Sequence, residues 1–189
     1  QHPDFASTDF SRLVSTAIGG APAALPLLKM WESVGCPLIQ AFGMTETSPL
    51  VLSISKEMAV EKAGSAGLPA MNTAIRIVGE DGVDVGVGEI GELWCKGPNI
   101  TPGYWNNPEA DAERLRDGAY WTGDLAYRDA EGFFYFAGRS ADWIRVDGEN
   151  FLAKPIEDAL QRHPKIYLAS VYGVADAIAG DRVMAAIVL

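Results

Sequence analysis

From residue 73 onward, short apolar runs are closed off every few positions by glycine and acid–glycine turns. This punctuation gives that stretch of the 189-residue chain a mainly β character. Residues 74–78, Ala-Ile-Arg-Ile-Val, read as a strand, Glu80-Asp81-Gly82 as a turn and 90–96 as a second strand. Leu125-Ala126-Tyr127 and the run 133–136 flank Asp129-Ala130-Glu131-Gly132, which predicts a hairpin. Between these lies an aromatic-bearing loop over 98–107. Asn107 ahead of Pro108 is an N-cap followed by proline at the first helical position, and predicts a short helix to Leu115 ended by Asp117-Gly118.

Upstream the pattern is mixed. Over 22–33 the apolar residues Leu25, Leu28 and Trp31 recur at helical spacing, and Pro22 and Pro26 fit only near the first turn. The runs 38–42 and 50–54 have strand length, and the loop between them carries Gly43 and the hydroxyls of Thr45, Thr47 and Ser48. Gly64, Gly67 and Pro69 mark turns within 55–72. Downstream, 143–146 and Asn150-Phe151 around Asp147-Gly148 suggest a second, smaller hairpin. Residues 155–163 read as an amphipathic helix with Ile156, Ala159 and Leu160 inward. Strands over 169–174 and 183–189 are joined through Gly180-Asp181. The change of character at 138–142 is the expected boundary between two units.

Composition removes several classes. The 25 acidic and 15 basic side chains leave a net charge of −10, so no basic surface exists for nucleic acid. At 48% hydrophobic the chain is too apolar for disorder. No apolar run reaches the ~20 residues of a transmembrane helix. Cys36 and Cys95 form no CxxC pattern, which argues against a disulfide framework or zinc site and fits a reducing compartment. A cytoplasmic location is expected, with any peripheral membrane association made through parts outside this sequence. The first residues lack an initiator Met and a signal peptide, and 182–189 read as a buried strand without a polar tail. Both ends are expected to be cut from something longer.

Several segments then occur in a telling order. They are Gly19-Gly20-Ala21-Pro22, Gln40-Ala41-Phe42-Gly43-Met44-Thr45-Glu46, Gly91-Glu92-Leu93 running to Gly97-Pro98, and Gly103-Tyr104-Trp105-Asn106-Asn107-Pro108-Glu109. Tyr120-Trp121-Thr122-Gly123-Asp124, Gly138-Arg139 and Gly148-Glu149-Asn150 follow. The chain resembles the adenylate-forming (AMP-binding) superfamily: acyl- and aryl-CoA synthetases, firefly luciferase and nonribosomal peptide synthetase adenylation domains. The resemblance implies a fold class of α/β plus a β subdomain, the end of the large domain, followed by a truncated α+β lid. Residues 1–137 would belong to the large domain (73–137 being its β-rich subdomain), 138–142 to a hinge and 143–189 to the first part of the lid. It implies a ligase that converts a fatty acid or other carboxylate and ATP, with Mg2+, to an acyl-adenylate and pyrophosphate, after which coenzyme A displaces AMP to give a thioester. The family's upstream phosphate loop and its lid lysine lie outside this sequence, so the chain alone is expected to be inactive.

Residue by residue, the resemblance puts Gly20, Ala21 and Pro22 against the adenine, where small residues permit close approach. Alone, these residues read better as an ordinary helix start, and the ordered context reverses that. Phe42 offers an aromatic face to the base, although relatives commonly carry Tyr there. Gly43 relieves crowding, and Met44 belongs to the same nucleotide-binding stretch. Thr45 suits an α-phosphate oxygen, and Glu46 suits magnesium, a hard cation that takes oxygen ligands; both are the candidate catalytic residues. Asp124 matches the acid that accepts from both ribose hydroxyls, and Arg139 the arginine beside the ribose and hinge. Their plain alternatives are a turn aspartate and a surface ion pair. Gly148 matches the lid glycine lining the pantetheine tunnel, or is simply a hairpin glycine. Trp121, Trp143 and 133–136 read as core. At the hinge, Ala141 stands where relatives place Asp or Lys, and the acid comes one step later at Asp142. Met44 favours CoA ligases and luciferases, and Gly148-Glu149-Asn150-Phe151 resembles long- and very-long-chain fatty acyl-CoA synthetases. The alternatives are a truncated, non-catalytic nucleotide-binding or interaction module, a luciferase-like enzyme, or a peptide synthetase adenylation domain.

Overall fold

The structure is a computed structural model describing residues 2–20, 23–140, 143–147, 149–176 and 180–189. Its architecture is sheet-dominated α/β with few helices. The first sheet contains β1 (Thr16–Ile18), β2 (Leu38–Phe42), β3 (Leu52–Ser53), β4 (Ser65–Pro69), β5 (Ala74–Val78), β6 (Gly91–Lys96), β7 (Leu115–Arg116), β8 (Ala119–Arg128) and β9 (Phe134–Arg139). Its nine strands run in the order β1-β2-β3-β4-β9-β8-β6-β5, with β7 beside β8. β1 and β2 pair in parallel, and α1 (Leu25–Ser33) makes the crossover. The apolar stripe of α1 explains its packing: Leu28 is buried with Ala23 and Leu38, and Trp31 lies against this cluster.

A second sheet has the order β11-β10-β13-β12, from β10 (Trp143–Val146), β11 (Glu149–Leu152), β12 (Leu168–Asp176) and β13 (Gly180–Val188). Its core is Ile144, Ala153 and Val171, and α3 (Ala153–Gln161) adds Ile156 and Leu160. This helix starts earlier than the 155–163 reading, because Pro155 fits its first turn and does not have to begin it. Among the described residues no helix is long and apolar enough to cross a membrane.

Two differences from the sequence reading matter. The strands of 1–72 and of 73–139 form one sheet, joined where Ser65 pairs with Tyr135 and Gly67 with Phe134. Glycine is required at that junction: Gly67 has φ +101°, and a Cβ there would lie 2.0 Å from the Ser53 carbonyl oxygen. Second, Asp117-Gly118 does not merely end a helix. The helix α2 (Pro108–Arg114), capped by Asn107 accepting from the Ala110 amide, stops earlier, and Leu115–Arg116 turns into strand. Asp117 and Gly118 have φ of 53° and 72° and close a tight hairpin onto Ala119. That hairpin extends β8 to ten residues, so the Thr122-Gly123-Asp124 segment is strand and not loop. The hinge residues Ala141 and Asp142 lie outside the described residues.

Candidate functional site

Two cavities meet at Arg139. The first, of about 320 Å³, is walled by Gly20, the end of β2 (Gln40, Ala41, Phe42), Gly64 to Ala66 at the head of β4, Asp124, Phe136, Gly138 and Lys154 of α3. The register of one hairpin assembles its polar side, since Asp124 on β8 is the direct cross-strand partner of Arg139 on β9. Arg139 Nε stands 3.2 Å from Asp124 Oδ1. Asp124 is only 6% exposed, and Oδ2 has no hydrogen-bond partner among the described residues. Burial pushes the carboxyl above its ordinary pKa, and the Arg139 guanidinium opposes that shift.

Gln40 supplies the complementary group. It is buried, its Oε1 accepts from the Ala23 amide at 2.8 Å, and its Nε2 has no partner among the described residues. A buried donor and a buried acceptor without partners on one cavity wall suit a polar ligand, because orphaned polar groups are rarely tolerated in a folded interior. Phe42 adds an aromatic wall, its ring 4.3 Å from that of Phe136.

The second cavity, about 290 Å³, is lined by Met44, Glu46, Tyr104, Arg114, Tyr120, Thr122, Gly123, Arg139 and Ser140. Backbone crowding shapes the loop that delivers Glu46. A Cβ on Gly43 would lie 1.3 Å from the Pro49 carbonyl oxygen, so only glycine fits. Fully buried Thr47 closes the turn: its hydroxyl accepts from the Met44 amide and donates to the Met44 carbonyl, both at 3.0 Å. The Thr101 amide donates to the Glu46 carbonyl at 2.8 Å, tying this loop to residues 98–107. The Tyr104 hydroxyl donates to Glu46 Oε1 at 2.8 Å and lies 2.8 Å from the Tyr120 hydroxyl.

Of the candidates from sequence, Gly20, Phe42, Asp124 and Arg139 meet in the first cavity, and Met44, Glu46 and Arg139 in the second. Gly43 shapes the loop without lining either cavity, and exposed Thr45 stands on the turn beside Glu46. Ala21, Pro22 and Gly148 lie outside the described residues. Sequence reasoning missed Gln40 as a site residue, together with Tyr104, Tyr120 and Lys154. It assigned Phe136 to the core, yet its ring also walls the first cavity. Trp121 does stack on Trp94, at 3.9 Å. The signal for Gln40 was present: a polar amide at a position in a strand otherwise suited to burial.

The nucleotide and magnesium that the resemblance implies fit what these residues offer. Asp124 Oδ2 and Gln40 Nε2 await partners beside an aromatic face. Among the described residues no group of three or more His, Cys, Asp or Glu could hold a metal by itself. A single carboxylate such as Glu46 suits magnesium, which commonly takes one or two protein carboxylates and completes its shell with phosphate oxygens and water.

Comparison with known proteins bears on the family and the fold. The AMP-binding enzyme family matches residues 1–105. Feruloyl-CoA synthase of Amycolatopsis sp is 40% identical over 175 residues, covering 93% of this chain and 36% of that protein. A long-chain-fatty-acid–CoA ligase of Yersinia pestis is 37% identical over 181 residues, covering 95% and 32%. The solved O-succinylbenzoate coenzyme A synthetase of Bacillus subtilis, in complex with ATP and magnesium ion, superposes with a TM-score of 0.82 at 39% identity over 92% of this chain and 36% of that one. The chain thus spans about a third of the length of the relatives it matches. Its motifs, fold and similarities agree, and the chain belongs to the AMP-binding enzyme family.

Proposed function

We propose that this chain is the nucleotide-facing part of an ATP-dependent carboxylate–CoA ligase. The observation that carries the reading is the buried Asp124 carboxylate, paired on one oxygen with Arg139 and bare on the other, at the wall of a cavity shared with Phe42 and Gln40. A carboxylate with a spare oxygen accepts ribose hydroxyls, an aromatic face stacks on a base, and a buried amide N–H donates to a ring nitrogen. Glu46 and Thr45 would then face the phosphates. Magnesium held by Glu46 would supply neutralisation of the charge on transferring phosphoryl oxygens.

In this reading a substrate carboxylate oxygen attacks the α-phosphorus and the bond to pyrophosphate breaks, leaving an acyl-adenylate. The thiolate of coenzyme A then attacks the acyl carbon, and the bond to AMP breaks. The chain's contribution is positioning: Asp124, Arg139, Gln40 and Phe42 fix the nucleoside so that the α-phosphate meets its attacker in one geometry. Residues 138–142 would be the hinge, since the first sheet ends at Arg139 and the second begins at Trp143. Lys154, the second residue of α3, lines the first cavity while its ammonium pairs with Asp158 on the same helix. A role of Gly148 toward the pantetheine arm rests on the family resemblance alone.

For the acid, the finer reading is a fatty acid, supported by the Gly148-Glu149-Asn150-Phe151 segment and the similarity to a long-chain ligase. Similarity to feruloyl-CoA synthase favours an aromatic acid as the second reading. The experiment is acid-dependent ATP–pyrophosphate exchange by the whole protein, with long-chain and hydroxycinnamic acids in parallel. Exchange with neither acid would refute both substrate readings. The 189-residue chain alone should bind AMP and fail to form thioester, and its turnover at an ordinary enzymatic ~1–10³ s⁻¹ would refute its being part of the machinery.

A further inference from the structure

We propose that Tyr120 and Tyr104 form a one-way hydrogen-bond chain that sets the orientation of the Glu46 carboxylate and thereby its hold on a divalent cation. The inference rests on the reading of Glu46 as the magnesium carboxylate and adds two positioning residues to it.

Direction follows from counting protons. A phenol has one, and an ionised carboxylate only accepts. The Tyr104 proton therefore goes to Glu46 Oε1, at 2.8 Å. The 2.8 Å contact between the two phenols is then made by the Tyr120 proton, with Tyr104 oxygen as acceptor.

Both donors are anchored. Tyr120 is 5% exposed and sits in β8, paired with Cys95 of β6 and Leu115 of β7. The Tyr104 amide donates to Asp111 Oδ1 of α2 at 2.7 Å. Gly103 packs against the same carboxylate, and a Cβ there would lie 2.9 Å from Asp111 Oδ2. Glu46 stands on a single short turn and lines the second cavity. The chain of phenols occupies Oε1 and leaves Oε2 for a cation. Hydrogen-bond partners of metal-binding carboxylates commonly change metal affinity by about 10- to 100-fold.

A purely structural role predicts something different: looser attachment of loop 98–107 and no change in cation dependence. The test is calorimetric titration of ATP into the whole protein, with and without magnesium, for the wild type, Tyr104→Phe, Tyr120→Phe and Glu46→Gln. Magnesium should tighten ATP in the wild type. Tyr104→Phe should lose about tenfold of that gain, Tyr120→Phe a smaller part because the Glu46 bond survives without its anchor, and magnesium-free ATP affinity should stay within about twofold. A full magnesium gain in both tyrosine variants, with Glu46→Gln abolishing it, overturns this inference alone. A full gain in Glu46→Gln, or none in the wild type, overturns the magnesium reading of Glu46 and this inference with it. Should Tyr104→Phe fail to melt cooperatively, Tyr120→Phe decides by the same comparison.

Discussion

Replacing Asp124 by Asn should make the chain more stable and a worse nucleotide binder. The two effects have one origin. Asp124 is 6% exposed, with Oδ2 bare of hydrogen bonds among the described residues, so the folded state holds a desolvated negative charge. An unsatisfied buried polar group costs about 1–3 kcal/mol, at the upper end when charged. The compensating partner, Arg139, is 70% exposed, and a pair of that kind contributes up to about 1 kcal/mol. A neutral amide keeps the shape, loses the ion pair and lowers the desolvation cost. The net gain is about 1 kcal/mol, or ~2–4 °C in melting temperature for a domain of this size.

The pH dependence has a definite sign. Burial raises the folded-state pKa of Asp124 above its unfolded value. Between the two values the folded state binds more protons, so wild-type stability falls as pH rises through that window. The cost is fully present above the folded pKa and vanishes below the ordinary aspartate value of ~3.9. The advantage of Asp124→Asn should therefore be largest at pH 7.5 and shrink toward pH 4.5. Binding moves the other way: exchanging a charge-assisted for a neutral hydrogen bond should weaken AMP by about 10- to 100-fold. Thermal melts at both pH values and calorimetry with AMP read the two effects separately. Unchanged AMP affinity, or a lower melting temperature at pH 7.5, would refute the reasoning.

In the whole protein, Glu46→Gln should slow ATP–pyrophosphate exchange by ~10²-fold or more, comparable to losing one preorganised transition-state donor; unchanged exchange removes Glu46 from the site. Gly43→Ala forces a Cβ onto the Pro49 carbonyl, 1.3 Å away, and should destabilise the chain by about 3 kcal/mol or more in denaturant titrations. Thr47→Val keeps the buried shape but orphans the Met44 amide, at about 1–3 kcal/mol, while Thr47→Ser should retain most of the stability. Equal denaturation midpoints for the Val and Ser variants would show that the hydroxyl is not what closes this turn.

Local chemistry made much of the architecture legible in the sequence. Asn107 before Pro108 marks a helix start because one side chain caps an amide and the other presets φ, both within one turn of chain. The run 38–42 and the run 74–78 are strands by length and residue type, and Asp124, Arg139, Phe42 and Glu46 could be named as candidates because their motifs are contiguous. The same local signals are ambiguous where two structures share one spelling. Asp117-Gly118 serves equally as a helix stop and as a hairpin turn, and pairing of Leu115–Arg116 with the start of β8 decided between them. Contacts between remote segments depend on register and packing, which no window of residues contains. Tyr104 and Glu46 are 58 positions apart, Gln40 and the Ala23 amide 17, and Asp124 meets Arg139 only because β8 and β9 pair in one particular register. The motif residues were thus written in the chain, while the tertiary fold decided which of them would share a cavity, which would be left without partners, and which tyrosines would face the carboxylate.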